Sequence, residues 1–137
     1  MSTSALAHQQ RTQLADLKKQ PRGPEEASFF YTDQQFHCNA VKILPGEYFV
    51  SDENIIITTV LGSCIAVCLW DEQRKISGMN HFMLPGNQDD SSGRYGSYAM
   101  ELLINAMMKK GASRNRLQAK IFGGGKVVDS LNRLNIG

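Results

Sequence analysis

The sequence feature that most constrains the fold is a pair of apolar segments joined by a short polar one. Residues 64–70, CIAVCLW, form a continuous apolar run, which is typical of a strand buried on both faces. The polar residues DEQRK follow, and then ISGMNHFML at 76–84 has the composition of another strand, stopped by Pro85 and Gly86. The pattern predicts an antiparallel hairpin with its turn near residue 73.

Further strands and helices are predicted on both sides of this hairpin. β-branched and aromatic residues are concentrated at 41–44, 47–61 and 117–122, which favours strands there. Apolar residues recur at helical spacing from 95 to 110, and a glycine follows, which predicts a helix. A second helix is predicted from Val127. Strands in series, followed by helix, strand and helix, predict an α/β (α+β) domain with a largely antiparallel sheet and packed helices.

The first 36 residues differ in composition from the remainder. Residues 1–36 are rich in Gln, Ser and Lys, and their QPRGPEE segment disfavours regular structure, so they are predicted to be a flexible N-terminal extension with one short helix at 5–19. Residues 37–137 are predicted to form the folded domain. Because the chain stops just after the second predicted helix, we expect this domain to lack its C-terminal segment.

Composition narrows the class of protein. No apolar run approaches the roughly 18 residues that a membrane span needs, and the N-terminus has no signal-peptide core, so no membrane insertion and a cytoplasmic location are expected. The three cysteines are an odd number, which fits a reducing compartment better than a disulfide framework. Residues 105–137 carry seven Lys or Arg against Asp129 alone, but without interleaved aromatic residues no nucleic-acid binding is expected.

Cys64 and His81 lie where the two hairpin strands can bring them together. If the hairpin is symmetric about Glu72 and Gln73, Cys64 lies directly opposite His81, with Cβ atoms about 4.5 to 5.5 Å apart. A loop centred two pairing positions away makes them diagonal neighbours on the same face, whereas a one-residue slip separates them. We expect about 3 to 4 Å between the sulfur and the nearer ring nitrogen.

The two residue types suit nucleophilic catalysis. A neighbouring imidazolium lowers the pKa of a thiol, and the thiolate attacks carbonyl carbons. Gly62 and Ser63 directly precede the thiol, so main-chain N–H groups there are candidates to bind the oxyanion that develops. The imidazole needs an orienting partner, and Thr58 or Thr59 could accept its second N–H.

Other interpretations use the same residues. A cysteine in a buried strand is usually a small apolar packing residue, which is how we interpret Cys68, and Cys38 is assigned no role. A metal site on Cys64, Cys68 and His81 lacks the spacing of structural zinc sites, so no metal is predicted. The FGGGK segment at 122–126 lacks the phosphate-binding pattern GxxxxGK[ST] and indicates a tight strand-to-helix connection.

Two longer motifs resemble a known family. TTVLGSCIAVCLWD followed by ISGMNHFMLP resembles the CheD family of bacterial chemoreceptor glutamine deamidases. The matching positions are Leu61 to Cys64, Asp71, and Gly78 to Pro85. The similarity continues through the helix after Arg94, its MKKG end and KIFGGG, and covers residues 41–137.

The resemblance implies an activity and a site. It implies a thiol-dependent protein-glutamine glutaminase (amidohydrolase) that converts receptor glutamines to glutamates through a cysteine thioester and, in some members, hydrolyses receptor methyl esters. The family's catalytic residues fall on Cys64 and His81, and its accessory threonine falls on Thr58, with Gly62 and Ser63 as candidate oxyanion or substrate contacts. The implied fold is a layered α/β sandwich, related in site architecture to the cytotoxic necrotising factor deamidase toxins. No cofactor is implied.

The resemblance also implies partners and leaves alternatives. The protein substrate would be the cytoplasmic helices of methyl-accepting chemotaxis receptors, and some members also bind a CheC-type phosphatase. An alternative function is a non-catalytic binding module that regulates such a phosphatase, and another is a thiol enzyme acting on a different substrate, such as a peptidase. Two features depart from the family: the N-terminal extension is longer, and the Asp-x-Gly-Gly-like motif and final strand are missing.

Overall fold

The computed structural model describes residues 3–83 and 90–123, which form two α-helices, seven β-strands and one turn of 3₁₀ helix at Arg114–Arg116. The predicted helix from Val127 and the glycines after Gly123 lie outside the described residues. The helices are α1 (Thr3–Lys19) and α2 (Asp90–Lys110), and the strands are β1 (Phe29–Asp33), β2 (Cys38–Lys42), β3 (Tyr48–Ser51), β4 (Ile56–Thr58), β5 (Ile65–Asp71), β6 (Ile76–Phe82) and β7 (Gln118–Gly123).

The strands form two sheets. Four strands pair in the order β3-β6-β5-β7, and every pairing in this sheet is antiparallel. The other three pair in the order β1-β2-β4, with β1 antiparallel and β4 parallel to β2. The prediction of a mixed α/β fold with a largely antiparallel sheet is therefore confirmed.

The four-stranded sheet has a different neighbour on each face. Because side chains alternate along a strand, one set of residues points towards α2 and the other towards the three-stranded sheet. The apolar cluster against α2 includes Ile65, Val67, Leu69, Phe82, Leu103 and Met107. The cluster against the three-stranded sheet includes Phe30, Val41, Ile43, Phe49, Ile57 and Met79. The molecule is thus layered in the order helix, sheet, sheet.

The N-terminal segment differs from the flexible extension that its composition predicts. Helix α1 and strand β1 pack against β2, and Leu17 is only 4% exposed within the second apolar cluster. Asn39 on β2 donates to the Gln10 carbonyl and to Gln13 Oε1, both at 2.7 Å. The guanidinium of Arg22 lies 4.7 Å from the centre of the Phe30 ring. Segment-averaged composition hides these few apolar anchors because polar residues surround them.

Helix α2 begins at Asp90 and ends at Lys110. The helix predicted from 95 therefore begins five residues earlier, and residues 84–89 lie outside the described part of the chain. Gly111 follows with φ +115, in agreement with the predicted glycine cap. Neither of the helices found in residues 3–83 and 90–123 has the length and apolar character required to cross a membrane.

Asp71 fixes the turn end of the hairpin. Its buried carboxylate accepts hydrogen bonds from Arg116 Nε at 3.1 Å and Nη2 at 3.0 Å, from the Ser113 N–H at 2.9 Å and from the Arg74 N–H at 3.2 Å. The Arg116 bonds, together with the two backbone bonds, lower the pKa of Asp71 from 3.8 to about 2, against the opposing effect of burial. This carboxylate ties the hairpin to the segment between α2 and β7.

Candidate active site

The hairpin register places Cys64 and His81 on one face as diagonal neighbours. Ala66 pairs with His81, and Asp71 pairs with Ile76, so the turn consists of residues 72–75. The direct opposition expected for a hairpin symmetric about residues 72 and 73 is therefore not formed. Cys64 lies two residues before Ala66, so alternation puts it on the same face as His81, which is the diagonal arrangement that the sequence left open.

His81 is held rigidly inside the sheet. Its N–H donates to the Glu47 carbonyl at 3.0 Å, and its carbonyl accepts from the Gly46 N–H at 2.7 Å. The residue as a whole is only 3% exposed. Strand β6 and the turn before β3 together fix the backbone from which the imidazole projects.

Thr59 determines which imidazole nitrogen carries the proton. The Thr59 hydroxyl donates to the Ile43 carbonyl at 2.7 Å, and its oxygen lies 2.8 Å from His81 Nδ1. A hydroxyl has a single hydrogen, so the second contact requires that Nδ1–H donates to the Thr59 oxygen. His81 is then the Nδ1–H tautomer, and its Nε2 carries a lone pair.

The structure brings Thr59, rather than Thr58, to the imidazole. Thr58 is the last residue of β4, where it pairs with Lys42, and its carbonyl accepts the Ile43 N–H at 2.8 Å. Thr59 follows the strand, so its hydroxyl can reach both Ile43 and His81. Sequence reasoning from the residues alone named both threonines, and the orienting contact falls on the one that the family resemblance did not select.

His81 Nε2 is buried and has no hydrogen-bond partner among the described residues. The expected contact between the Cys64 sulfur and the imidazole is thus not present as a hydrogen bond. A diagonal pair stands about 7 to 8 Å apart at the backbone, farther than a directly opposed pair, which accounts for the difference. A buried nitrogen with an unused lone pair is costly, and such atoms are frequent where chemistry is carried out.

Cys64 is half-buried and lies immediately before β5, and the two residues before it, Gly62 and Ser63, are exposed. A Cβ atom built on Gly62 would meet nothing within 4 Å. The fold therefore places no steric demand on glycine at this position. The backbone of Gly62 and Ser63 lies open beside the thiol, where a large substrate can approach it.

An open groove of about 330 Å³ lies next to this segment. It is bounded by the end of β4 on one side and by β5 and β7 on the other. Its lining includes Thr58, Thr59, Leu61, Ala66 and Phe122. Leu61 and Ala66 lie three residues before and two residues after Cys64, so the groove adjoins the segment that carries the thiol, although neither Cys64 nor His81 lines it.

Cys68 provides a contrast with Cys64. It lies on β5, where burial raises the pKa of its thiol, and Lys120 on β7 opposes that effect. Cys38 contacts the Asn54 carbonyl at 3.5 Å, away from the groove. In residues 3–83 and 90–123, no group of three His, Cys, Asp or Glu side chains is arranged to hold a metal ion.

Strand β7 lies against the backbone of Cys64. Gly123 pairs with Ile65, and a Cβ atom on Gly123 would lie 2.6 Å from the Cys64 carbonyl oxygen. Sequence reasoning assigned this glycine to a tight connection between a strand and a helix. The KIF segment before Gly123 was the signal that could have located it. It indicates a strand, and a strand that pairs with β5 in this register ends beside Cys64.

Comparison with known proteins identifies relatives. The family model described as CheD chemotactic sensory transduction matches residues 83–137. "Probable chemoreceptor glutamine deamidase CheD 1" of Albidiferax ferrireducens is 54% identical over 138 residues, which cover 100% of this chain and 59% of that protein. The Shewanella oneidensis protein of the same name is 58% identical over 113 residues, covering 78% of this chain and 55% of its own length. The chain therefore spans less than two thirds of these relatives.

Proposed function

We propose, from the premise that this chain belongs to the CheD family, that it contributes the nucleophile and the base of a chemoreceptor glutamine deamidase. Cys64 is the nucleophile and His81 is the base. The observation that carries the proposal is the buried Nε2 of His81, which has no hydrogen-bond partner among the described residues and lies on the same face as a half-buried thiol near an open groove. A folded receptor helix requires such an open site.

The first step forms a thioester. His81 Nε2 accepts the thiol proton, and the Cys64 thiolate attacks the side-chain amide carbon of a receptor glutamine. The carbonyl π electrons move to oxygen, and main-chain N–H groups near Ser63 and Cys64 stabilise that charge. The carbon–nitrogen bond then breaks, the His81 imidazolium protonates the departing nitrogen, and ammonia leaves.

The second step releases glutamate. Water attacks the thioester carbon while His81 Nε2 accepts a water proton, and the carbon–sulfur bond breaks. The imidazolium returns the proton to sulfur, so thiol and imidazole are restored and the product is a glutamate side chain. A glutamyl methyl ester would follow the same path with methanol as the leaving group.

The accessory residues have separate proposed roles. Thr59 holds the tautomer that leaves Nε2 free, and Thr58 lines the groove where the substrate enters. The open space at Gly62 admits the substrate close to the backbone. A site architecture related to the cytotoxic necrotising factor deamidases remains a prediction of the family resemblance.

The proposed substrate is the cytoplasmic helical region of a methyl-accepting chemotaxis receptor, as the names of the relatives indicate for those proteins. The reaction would then take place in the cytoplasm and serve adaptation in chemotaxis. Binding of a CheC-type phosphatase is a further proposal and does not require the thiol.

Mass spectrometry of a purified receptor cytoplasmic domain tests the activity. Each deamidation raises the peptide mass by about 1 Da, because an NH group is exchanged for oxygen in acyl transfer. We expect the wild-type protein and Cys68→Ala to deamidate the receptor and Cys64→Ala to be inactive. Cys68 is the matched control because it is also half-buried on the same face of β5.

Two results would contradict the proposal. Retained activity in Cys64→Ala would remove the nucleophile from the mechanism. A wild-type protein that leaves the receptor unchanged but binds a CheC-type phosphatase would favour the non-catalytic alternative. Free glutamine and short peptides, assayed in parallel, distinguish a receptor deamidase from a thiol enzyme with another substrate.

A further inference from the structure

The backbone of Cys64 is enclosed on one side by strand β7. Gly123, the last residue of β7, pairs with Ile65, the first residue of β5. Its φ is +131, a backbone conformation that residues with a side chain rarely adopt. The backbone conformation alone therefore favours glycine at position 123.

The contacts at Gly123 are tighter than those at Gly23, Gly46, Gly62, Gly78 and Gly111. A Cβ atom there would lie 2.6 Å from the Cys64 carbonyl oxygen, 3.2 Å from Ile65 Cα and 3.3 Å from Ile65 Cγ1. The first distance is shorter than folded proteins tolerate, so one of the two groups would have to move. Both atoms of closest approach belong to backbone, which cannot rotate away as the end of a side chain can.

The two groups in contact with Gly123 differ in their freedom to move. Ile65 is fully buried in the apolar cluster under α2. Cys64 precedes the strand, and the residues before it are exposed. A side chain at position 123 would therefore displace the Cys64 peptide, and with it the thiol, in preference to Ile65.

We propose that Gly123 is a positioning residue that sets the orientation of the Cys64 peptide and so directs the thiol towards His81. This inference rests on the proposed function of Cys64 but concerns a strand made much later in the chain. Because the thiol and the imidazole are only diagonal neighbours, a small rotation at Cys64 changes their separation directly.

The test compares two glycines with similar backbone conformations. Gly111, at the end of α2, has φ +115, but a Cβ there would lie 3.8 Å from its nearest neighbour, Ile76 Cδ1. Gly111→Ala and Gly123→Ala both introduce backbone strain, and only Gly123→Ala presses on Cys64. Each variant is assayed for kcat and KM on the receptor domain, and for the rate at which iodoacetamide alkylates Cys64.

We expect Gly123→Ala to lower kcat by about tenfold to a hundredfold with little change in KM, since displacements of about 1 Å at a reacting group have effects of that size. The alkylation rate of Cys64 should change in Gly123→Ala and stay at the wild-type value in Gly111→Ala. Wild-type kcat and alkylation in a folded Gly123→Ala protein would overturn the inference. If no protein deamidates the receptor but Cys64 alkylation still changes only in Gly123→Ala, the proposed function fails and the positioning role stands.

A second pair of variants provides the test if Gly123→Ala does not fold. Ser63→Gly gives the exposed segment before Cys64 more freedom to shift. The double variant Ser63→Gly/Gly123→Ala is then compared with Ser63→Gly alone. An equal alkylation rate in the two proteins would contradict the positioning role, and a changed rate would support it.

Discussion

Asn80 and His81 are adjacent on β6 and both are buried, but they face opposite sides of the four-stranded sheet. Asn80 points towards α2, where its oxygen accepts the Val67 N–H at 3.0 Å and its amide nitrogen donates to the Ala99 carbonyl at 3.4 Å. His81 points towards the three-stranded sheet, and its Nε2 is unpaired among the described residues. The same strand carries a satisfied polar group on one face and an unused one on the other.

This difference suggests that Asn80 contributes to the stability of the fold and His81 to the proposed chemistry. A buried polar group that is fully bonded specifies packing, whereas one that keeps a free lone pair costs stability and is available to react. The face under α2 is closed by large apolar residues such as Leu103 and Met107. The opposite face borders an open groove that is lined by Leu61 and Ala66, on either side of Cys64 in the chain. We therefore expect substitutions on the two faces to have separable effects.

The largest separation is expected for the two adjacent polar residues themselves. His81→Gln removes the proton acceptor and should lower turnover by about 10²-fold to 10⁴-fold, the usual contribution of a general base. Asn80→Ala should leave turnover per folded molecule nearly unchanged, because the groove is on the other face. It should lower the free energy of unfolding by about 1 to 3 kcal/mol, because the Val67 N–H and the Ala99 carbonyl both lose their contact with the Asn80 amide. Receptor deamidation and urea unfolding measure the two quantities, and similar effects of both variants on turnover would contradict the division.

Two glycines sharpen the comparison. A Cβ on Gly78 would meet Val50 Cγ2 at 2.9 Å and both Leu103 and Met107 at 3.0 Å, whereas Gly62 has nothing within 4 Å. Gly78→Ala should lower the free energy of unfolding by about 1 to 3 kcal/mol through overpacking. Gly62→Ala should leave unfolding unchanged and raise KM for the receptor. A destabilised Gly62→Ala protein would show that the open face is more closely packed than its contacts indicate.

The orienting threonine gives a smaller effect. Thr59→Val should lower turnover about tenfold, the equivalent of one hydrogen bond worth about 1.4 kcal/mol, while Thr59→Ser keeps the hydroxyl and should restore it. The imidazole ¹⁵N shifts should report the Nδ1–H tautomer in wild type and a mixture in Thr59→Val. Thr58→Val is the matched variant. If Thr58→Val lowered turnover more than Thr59→Val, and the His81 ¹⁵N shifts were unchanged in Thr59→Val, the orienting role would belong to Thr58.

The last prediction concerns the stability of the hairpin turn in acid. The pKa of Asp71 is lowered to about 2 in the folded protein, and an unfolded Asp has a pKa of about 3.9. Its stabilising contribution is therefore complete above about pH 4 and is lost as the pH falls towards 2. Asp71→Asn should remove this part of the pH dependence, as measured by urea unfolding at pH 7, 4 and 3. An unchanged pH dependence would mean that the carboxylate contributes nothing to acid stability.

Much of the central sheet could be predicted from the sequence. The continuous apolar run of β5 and the glycine after α2 are local signals, and both indicate the elements that the structure contains. The register could not be predicted, because it depends on a turn in which Lys75 takes a positive φ of +57. The carboxylate of Asp71, which precedes the four turn residues, accepts the Arg74 N–H within the turn.

The candidate site was only partly predictable for a related reason. Residue types and spacing single out Cys64 and His81, because thiol and imidazole are rare and chemically distinctive. The Thr59 contact depends on where β4 ends and on the Ile43 carbonyl of a neighbouring segment, neither of which is local. The packing of α1 is non-local too, since it depends on a partner strand that follows it.

The order of the strands along the chain has a consequence for biosynthesis. All three strands of the smaller sheet lie within the first 58 residues, so they emerge from the ribosome before the central hairpin does. Strand β7 is translated long after Cys64, and the thiol is not covered on that side until β7 pairs with β5. During that interval a nascent protein exposes the Cys64 thiol, and oxidation at this stage would block the proposed nucleophile before the fold is complete.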